Sequence, residues 1–274
     1  MRLAGLFAFS SIAVLALGCS VSSTGNSITL KSQTRFLNSP DVTKESTKAW
    51  AGEEISIVQD SASIIANGGL TVVGSPTATK VSVSARVIAY ADAEDKASAD
   101  KSIADVVASV KIVEEAGKIT VQCKNGGTYG TSSAGKSGCE LLTVTVPSGS
   151  VQQPLKLTAG CGNGDIRVSG IVGGALIEGN GTGDITASIT PTQGVTVQVT
   201  QKEAGDVALS LPGDFATDSL VLQADAASIS IDPGFSPAVE NNKGRGTAGT
   251  GAKAINVISS AFAGSTGKVT LTKL

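Results

Sequence analysis

A Gly-Asp-apolar triplet recurs in the second half of the chain, as Gly164-Asp165-Ile166, Gly183-Asp184-Ile185 and Gly205-Asp206-Val207. The intervals are 19 and 22 residues, and Gly162-Asn163 and Gly179-Asn180-Gly181 lead into the first two triplets. Gly267-Lys268-Val269 repeats the Gly-x-apolar part near the C-terminus. A unit of about 20 residues with one short strand and one glycine turn cannot bury its apolar side alone, so each unit must stack on the next. The fold expected from this pattern is mainly β, a parallel β-helix or β-solenoid. Segments 142–146, 155–158, 195–199, 207–211 and 269–274 alternate apolar and polar residues, as a one-sided core requires. The uneven interval argues against a rigid short-repeat calcium solenoid.

The first half follows the same logic with one interruption. Strands are expected at 55–58, 63–66 and 70–73, the last two joined by an Asn67-Gly68-Gly69 turn. Val81, Val83, Ala85, Val87 and Ala89 alternate with Ser82, Ser84 and Arg86, the period of a half-buried strand. Asp92 then opens one short helix, capping its first turn, with Glu94 and Asp95 at the positive end of the dipole and Lys96 four residues before Asp100. The Ala-rich spacing carries that helix to about Ala104. Extended structure is expected from 106 to 113, a turn at 114–118 and a strand at 119–123, which makes a strand-helix-strand insertion in the N-terminal half.

The N-terminus reads as an address. Met1 and Arg2 form a basic head, and residues 3–17 form an uncharged, mostly apolar run. As a helix that run rises only about 22 Å, short of the roughly 30 Å hydrocarbon core, so it is a signal segment and not a span. Its end, Leu15-Ala16-Leu17-Gly18-Cys19, resembles the lipobox of bacterial lipoproteins, with Ala16 less usual than Leu at its position. The resemblance implies acylation of Cys19 with palmitate-type chains, and Ser20 after it implies sorting to the outer membrane, since Asp there is the usual inner-membrane retention signal. Two or more acyl chains anchor firmly at about 0.8 kcal/mol per buried methylene. Residues 1–18 are thus expected as a lipoprotein signal peptide, 19–50 as a lipidated flexible tether rich in Ser, Thr, Asn and Lys, and 51–274 as the β-solenoid domain.

The run Ile64-Ile65-Ala66-Asn67-Gly68-Gly69-Leu70-Thr71-Val72-Val73-Gly74, then Lys80-Val81-Ser82-Val83, the acidic Ala-rich helix and the Gly-Asp-Ile units resemble the bacterial β-strand-repeat adhesin family. That family is of unknown function and has right-handed parallel β-helices among its relatives. The resemblance spans roughly residues 50–274 and implies adhesion at the cell surface. The stretch from Cys123 to Cys139 is an insertion relative to the pattern.

Composition narrows the chemistry. There is no His in 274 residues, which removes Ser-His-Asp and Cys-His nucleophile pairs and the commonest zinc and copper ligand. Aromatics at 3% leave little surface for stacking bases or sugars, and a net charge of −2 gathers no polyanion, so no nucleic acid is expected as a partner. Gly130-Thr131-Ser132-Ser133-Ala134-Gly135-Lys136-Ser137 matches the phosphate-loop pattern, but Glu140-Leu141-Leu142-Thr143-Val144 after it reads as strand where a helix is needed. No nucleotide and no cofactor are expected. Cys123 and Cys139 flank that loop and are the expected disulfide in an exported chain, a closure worth about 3 kcal/mol. Cys139 with Cys161 is the rival pairing; otherwise Cys161 is a small buried residue. Three cysteines with no C-x-x-C pair make a poor metal site. Trp50, Tyr90 and Tyr129 are too scattered for a sugar platform.

Asp165, Asp184 and Asp206 stack into a carboxylate column if each triplet falls at one corner of the solenoid. Such a column could hold a row of Ca²⁺ or supply the paired carboxylates of a glycan-acting β-helix enzyme. It could equally bond turn amides while glycine supplies positive φ, which is the ordinary use of a Gly-Asp turn. No residue is assigned as catalytic. The expectation is a non-enzymatic envelope lipoprotein presenting a solenoid surface for interaction or adhesion, anchored in the bilayer through Cys19 and contacting a cell-surface glycan or an envelope protein. A glycan-acting enzyme and a purely structural envelope scaffold are the alternatives.

Overall fold

The computed structural model describes residues 19–24, 27–32, 34–60, 69–126, 135–212, 219–236, 238–249, 254–261 and 267–274. The signal segment 1–18, the expected strand 63–66, the Asn67-Gly68 turn, Tyr129 and residues 130–134 of the phosphate-loop match lie outside them.

Alternating burial along short strands is the dominant local feature, and it arises where β-branched and Leu residues occupy every second position. In chain order the strands are β1 (Cys19–Thr24), β2 (Ser27–Ser32), β3 (Thr34–Leu37), β4 (Val42–Glu45), β5 (Glu54–Gln59), β6 (Gly69–Ser75) and β7 (Ser82–Ala91). A 3₁₀ turn at Ala93–Asp95 leads into helix α1 (Lys96–Ser109). There follow β8 (Lys111–Glu115), β9 (Lys118–Cys123), β10 (Lys136–Pro147), β11 (Leu155–Cys161), β12 (Ile166–Gly179), β13 (Ile185–Thr190), β14 (Thr196–Gln201) and β15 (Val207–Leu211). The last elements are β16 (Ser219–Asp225), β17 (Ser228–Ile231), β18 (Ala238–Glu240), β19 (Lys243–Ala248), β20 (Ala254–Ser260) and β21 (Lys268–Lys273).

The protein is mainly β, with one short helix and one large curled mixed sheet. The sheet is made of two ladders. In the first, β10, β6, the first half of β12, β13, β15, β21 and β17 pair in parallel in that order, and β7 adds antiparallel to β10. In the second, β9, β5, β11, the second half of β12, β14, β20 and β16 pair in parallel, with β8 and β19 antiparallel at its two ends. β12 belongs to both and turns at Gly173 (φ 146°), where a Cβ would sit 2.1 Å from the carbonyl oxygen of Leu155. Only glycine fits a corner that close.

The spatial order is not the chain order. β20 lies between β14 and β16, and β21 lies between β15 and β17, so the chain leaves a gap and returns to fill it. Likewise β9 and β10 flank the earlier β5 and β6 from outside. The inward side chains of both ladders form one core of Ile, Val, Leu and Ala, including Ile57, Leu70, Val144, Ile166, Ile185 and Leu209. Each fully buried aliphatic side chain contributes about 1.5–3 kcal/mol.

Helix α1 differs from expectation at both ends. The α-helical turns begin at Lys96, the Asp92 side chain makes no cap bond, and the Asp92 carbonyl instead accepts from the amide of Asp95 at 2.9 Å. The helix continues through Val106 and Val107 to Ser109, because Ala99, Ser102, Ile103 and Val106 lie on one buried face. Residues 106–109 are therefore helical, not extended. The stretch 19–50, expected as a flexible tether, also carries structure: β1 and β2 form an antiparallel hairpin, and β3 and β4 pair antiparallel with β7. Polar edge strands of this kind look like linker in sequence because an edge strand needs little apolar surface.

Candidate functional site

The three Gly-Asp-apolar triplets do fall at one corner, just before the first-ladder strands β12, β13 and β15. There the carboxylates form a staircase. Asp165 Oδ1 accepts from the amide of Asp184 at 3.2 Å, and Asp184 Oδ1 accepts from the amide of Asp206 at 2.8 Å. Asp206 Oδ1 then accepts from the amide of Lys268 at 2.8 Å, so the Gly267-Lys268-Val269 unit is the next step although it lies 62 residues on. In the reverse direction the amides of Ile166 and Ile185 donate to the carbonyls of Asp184 and Asp206 at 2.9 and 2.8 Å. Each carboxylate thus satisfies a backbone amide at or just before the start of the next strand. Arg167 offsets the charge at one end, its guanidinium 2.8 Å from Asp165 Oδ2.

The glycines serve the staircase in two different ways. Gly164 (φ 101°) and Gly205 (φ 148°) hold positive φ, as expected. Gly183 does not; its requirement is space, since a Cβ there would lie 2.1 Å from the carbonyl carbon and oxygen of Gly164 and 2.6 Å from the amide of Asp165. The expectation of positive φ at Gly183 is corrected: the backbones of adjacent rungs touch there. Among the described residues no group of three or more His, Cys, Asp or Glu side chains is placed to hold a metal ion.

Cys123 and Cys139 stand at disulfide distance, with Cα atoms 6.4 Å apart, and so link the second ladder to the first. Cys139 is turned inward by a β-bulge between it and Leu141 in the pairing of β10 with β7. Cys161 takes no part in that pair. Its buried thiol donates to the Asn163 carbonyl at 3.1 Å and lies 3.7 Å from Gln59 Oε1. Gln59, 2% exposed, also donates to the Cys139 carbonyl at 3.2 Å. Register explains the grouping, because Cys123, Gln59 and Cys161 occupy one row across β9, β5 and β11. Nothing in the local sequence marks Gln59 as the bridge.

The end of the phosphate-loop match is strand, not helix. Lys136 and Ser137 open β10, and the fully buried Ser137 hydroxyl pairs with Ser102 of α1 at 2.6 Å. Trp50 is half-buried and donates from Nε1 to the Glu53 carbonyl at 2.7 Å, a structural role. Cys19 opens β1, paired across from Ser32. Among the described residues no helix is long and apolar enough to cross a membrane.

A further polar contact secures the segment before β5. The Glu114 carboxylate accepts from the Thr47 amide at 2.5 Å and from the Thr47 hydroxyl at 3.0 Å. The Thr47 amide bond, opposed by desolvation and aided by the Thr47 hydroxyl and Lys48, lowers the Glu114 carboxyl below its ordinary value. The partners are 67 residues apart, and no short-range pattern signals them.

No protein-family model matches the sequence, and no curated protein sequence matches it. Among solved structures, the chain shares its fold with a protein from Clostridium sporogenes described as a "putative cell adhesion protein". The two are 15% identical, with a TM-score of 0.53, over 85% of this chain and 100% of that one. A "putative adhesin" from Bacteroides fragilis aligns at 10% identity over 86% of this chain and 98% of its own. Its TM-score is 0.28.

Proposed function

We propose that this chain is a non-enzymatic lipoprotein of the bacterial envelope, anchored in the bilayer through acylated Cys19, sorted to the outer membrane, and presenting a short β-solenoid as an adhesion surface. The observation that supports the reading is the fold that 85% of this chain shares with the whole of a protein described as a "putative cell adhesion protein". The staircase agrees with it: Asp165, Asp184 and Asp206 each give an oxygen to a backbone amide of the next rung, so they hold rungs together where an enzyme would aim them at a substrate. Two parallel ladders around one core are what a solenoid with two strands per coil produces, here with two coils filled out of chain order. In an oxidising compartment Cys123 and Cys139 close as a disulfide, leaving the Cys161 thiol reduced.

The test compares cells that lack the protein with cells carrying the wild-type or the Cys19→Ala chain, by fractionation and by attachment to a glycan-bearing surface. The reading expects attachment to fall in the deletion strain and to return with the wild type, while Cys19→Ala moves to the soluble fraction and restores nothing. Unchanged attachment in the deletion strain contradicts the adhesion role. Membrane retention of Cys19→Ala contradicts the anchor.

A further inference from the structure

The N-terminal edge of the first ladder is attached by charge more than by apolar burial. Residues 34–45 run along the outer edge of β7 as β3 and β4, while β10 holds the opposite edge of β7 from Ser82 to Tyr90. β10 buries Leu142, Val144 and Val146 completely. β3 and β4 bring Phe36 and Val42 against the core, both only partly buried, and leave Leu37 48% exposed. Three ion pairs fasten the segment to the body. Arg35 pairs with both carboxylate oxygens of Glu140 on β10, Asp41 with Arg86 on β7 at 3.4 Å, and Glu45 with Lys80 at 3.1 Å. The three cations are 44, 43 and 37% exposed, so bulk ions reach every pair. Pairs of this kind are weak singly and are screened by salt.

The two ends of this segment are held differently. Just past Glu45 the chain is pinned: Ser46 is 2% exposed, its amide donates to the Val81 carbonyl at 2.8 Å, and its hydroxyl accepts from the Val81 amide at 3.2 Å. The Trp50 amide donates to the Thr79 carbonyl at 2.8 Å, and Glu114 clamps Thr47. On the other side of the segment, among the described residues, β2 pairs only with β1, in a sheet separate from the large one. The edge strand β8 of the second ladder differs on both counts. It lies between α1 and a short turn into β9, and its Ile112 packs against the core. Few apolar contacts, exposed attachments and a single pinned end mark a segment that opens well short of global unfolding.

We infer that residues 34–45 are a releasable strap: they lift from β7 as a unit about the pinned Ser46, β7 stays in place on β10, and rising salt favours the lifted state. Lifting moves the body's point of attachment from Thr34 to Ser46 and adds about 40 Å of extended chain between the body and Cys19. It also bares the backbone edge of β7, which the strap covers when closed. The release itself stands apart from the proposed function. The gain in reach rests on the reading of Cys19 as the anchor.

The test is amide hydrogen exchange of the purified full chain, read by mass spectrometry at low salt and at about 1 M KCl, where the Debye length falls to about 3 Å. Peptides covering 34–45 should exchange faster than those of β10 and should speed up about tenfold in high salt, as three exposed pairs allow, while β8 and β12 stay unchanged. Arg35→Gln/Asp41→Asn/Glu45→Gln should exchange fast at both salts, and Glu45→Gln alone should lose part of the salt response. Thr43 and Ser84 lie directly opposite each other across β4 and β7, so oxidised Thr43→Cys/Ser84→Cys should hold the strap closed at either salt. Strap exchange as slow as that of β10, a salt response absent from the wild type or kept in the triple variant, or an equal response in β8 overturns the inference. On supported bilayers in high salt, neutron reflectometry should place the acylated wild-type body farther from the lipid than that of oxidised Thr43→Cys/Ser84→Cys. Equal heights with a fast-exchanging strap overturn the gain in reach. Exchange of the purified chain does not involve Cys19, so a failed anchor, read from fractionation of Cys19→Ala, leaves the strap result standing.

Discussion

Replacing Gly183 by Ala tests whether adjacent rungs touch as closely as the structure places them. The new methyl would lie 2.1 Å from the Gly164 carbonyl carbon and oxygen and 2.6 Å from the Asp165 amide. Those are backbone atoms inside a ladder, so relief requires separating β13 from β12. Overpacking of this kind costs about 1–3 kcal/mol. Separation also strains two bonds, Asp184 amide to Asp165 Oδ1 at 3.2 Å and Ile166 amide to the Asp184 carbonyl at 2.9 Å, each worth about 1 kcal/mol. The expected loss is about 3–5 kcal/mol. Gly194 supplies the contrast, since it has φ 73° but nothing within 4 Å of an added Cβ. Gly194→Ala should cost only the left-handed conformational penalty, about 1–2 kcal/mol. Urea titrations of both variants, read at unchanged m, measure the difference, and melting should shift by about 2–4 °C per kcal/mol. If Gly183→Ala costs no more than Gly194→Ala, the stacked-rung geometry at the staircase is wrong.

Glu114→Gln should change how stability depends on acid. With its folded value lowered, Glu114 contributes stability fully above its ordinary value of 4.5 and loses it as pH falls through the folded value, so the wild type should lose its advantage over Glu114→Gln only below about pH 4.5. Melts at stepped pH check this; a wild-type advantage that is absent at neutral pH and appears only below about pH 4.5 contradicts the sign. Non-reducing peptide maps should recover a Cys123 to Cys139 link, and Cys139→Ser should destabilise by about 3 kcal/mol, with a Cys139 to Cys161 link as the contrary result. Phe235→Ala should cost about 3–5 kcal/mol, because Phe235 is fully buried against Gly246 at the end of the stack; a cost under 1 kcal/mol, read from urea titration, would place that ring in solvent.

Much of the core was legible because burial in this chain follows alternation. Val83, Ala85, Val87 and Ala89 are buried as their spacing predicts, and so are Val207, Leu209 and Leu211. The triplets announced their corner because Gly and Asp each have a local reason to be there. Order in space was not legible: nothing in Ala254–Ser260 says that it pairs between β14 and β16, since a parallel ladder is specified by which faces fit and not by chain distance. The end of α1 was misplaced because Val106 and Val107 carry strand propensity, which the buried face of the helix overrides. Side-chain rows across the ladders were hidden for the same reason as the strand order. Thr143 meets Thr71, and Arg167 comes to lie between Thr71 and Thr186, only once β10, β6, β12 and β13 are paired. Gly183 was legible as glycine but not for its cause, because close approach between rungs leaves no trace in local sequence.

On the proposed reading the chain binds without performing chemistry, and the carboxylates of Asp165, Asp184 and Asp206 hold adjacent strands together. The most direct measurement places the purified wild-type chain and Asp184→Asn on beads against a glycan-bearing surface, with and without EDTA, and follows both attachment and released sugar. The account predicts attachment that EDTA leaves intact, no sugar released, and an Asp184→Asn chain that attaches as the wild type does, its amide oxygen still able to accept from the Asp206 amide. Sugar release by the wild type that disappears in folded Asp184→Asn, or attachment abolished by EDTA, contradicts it.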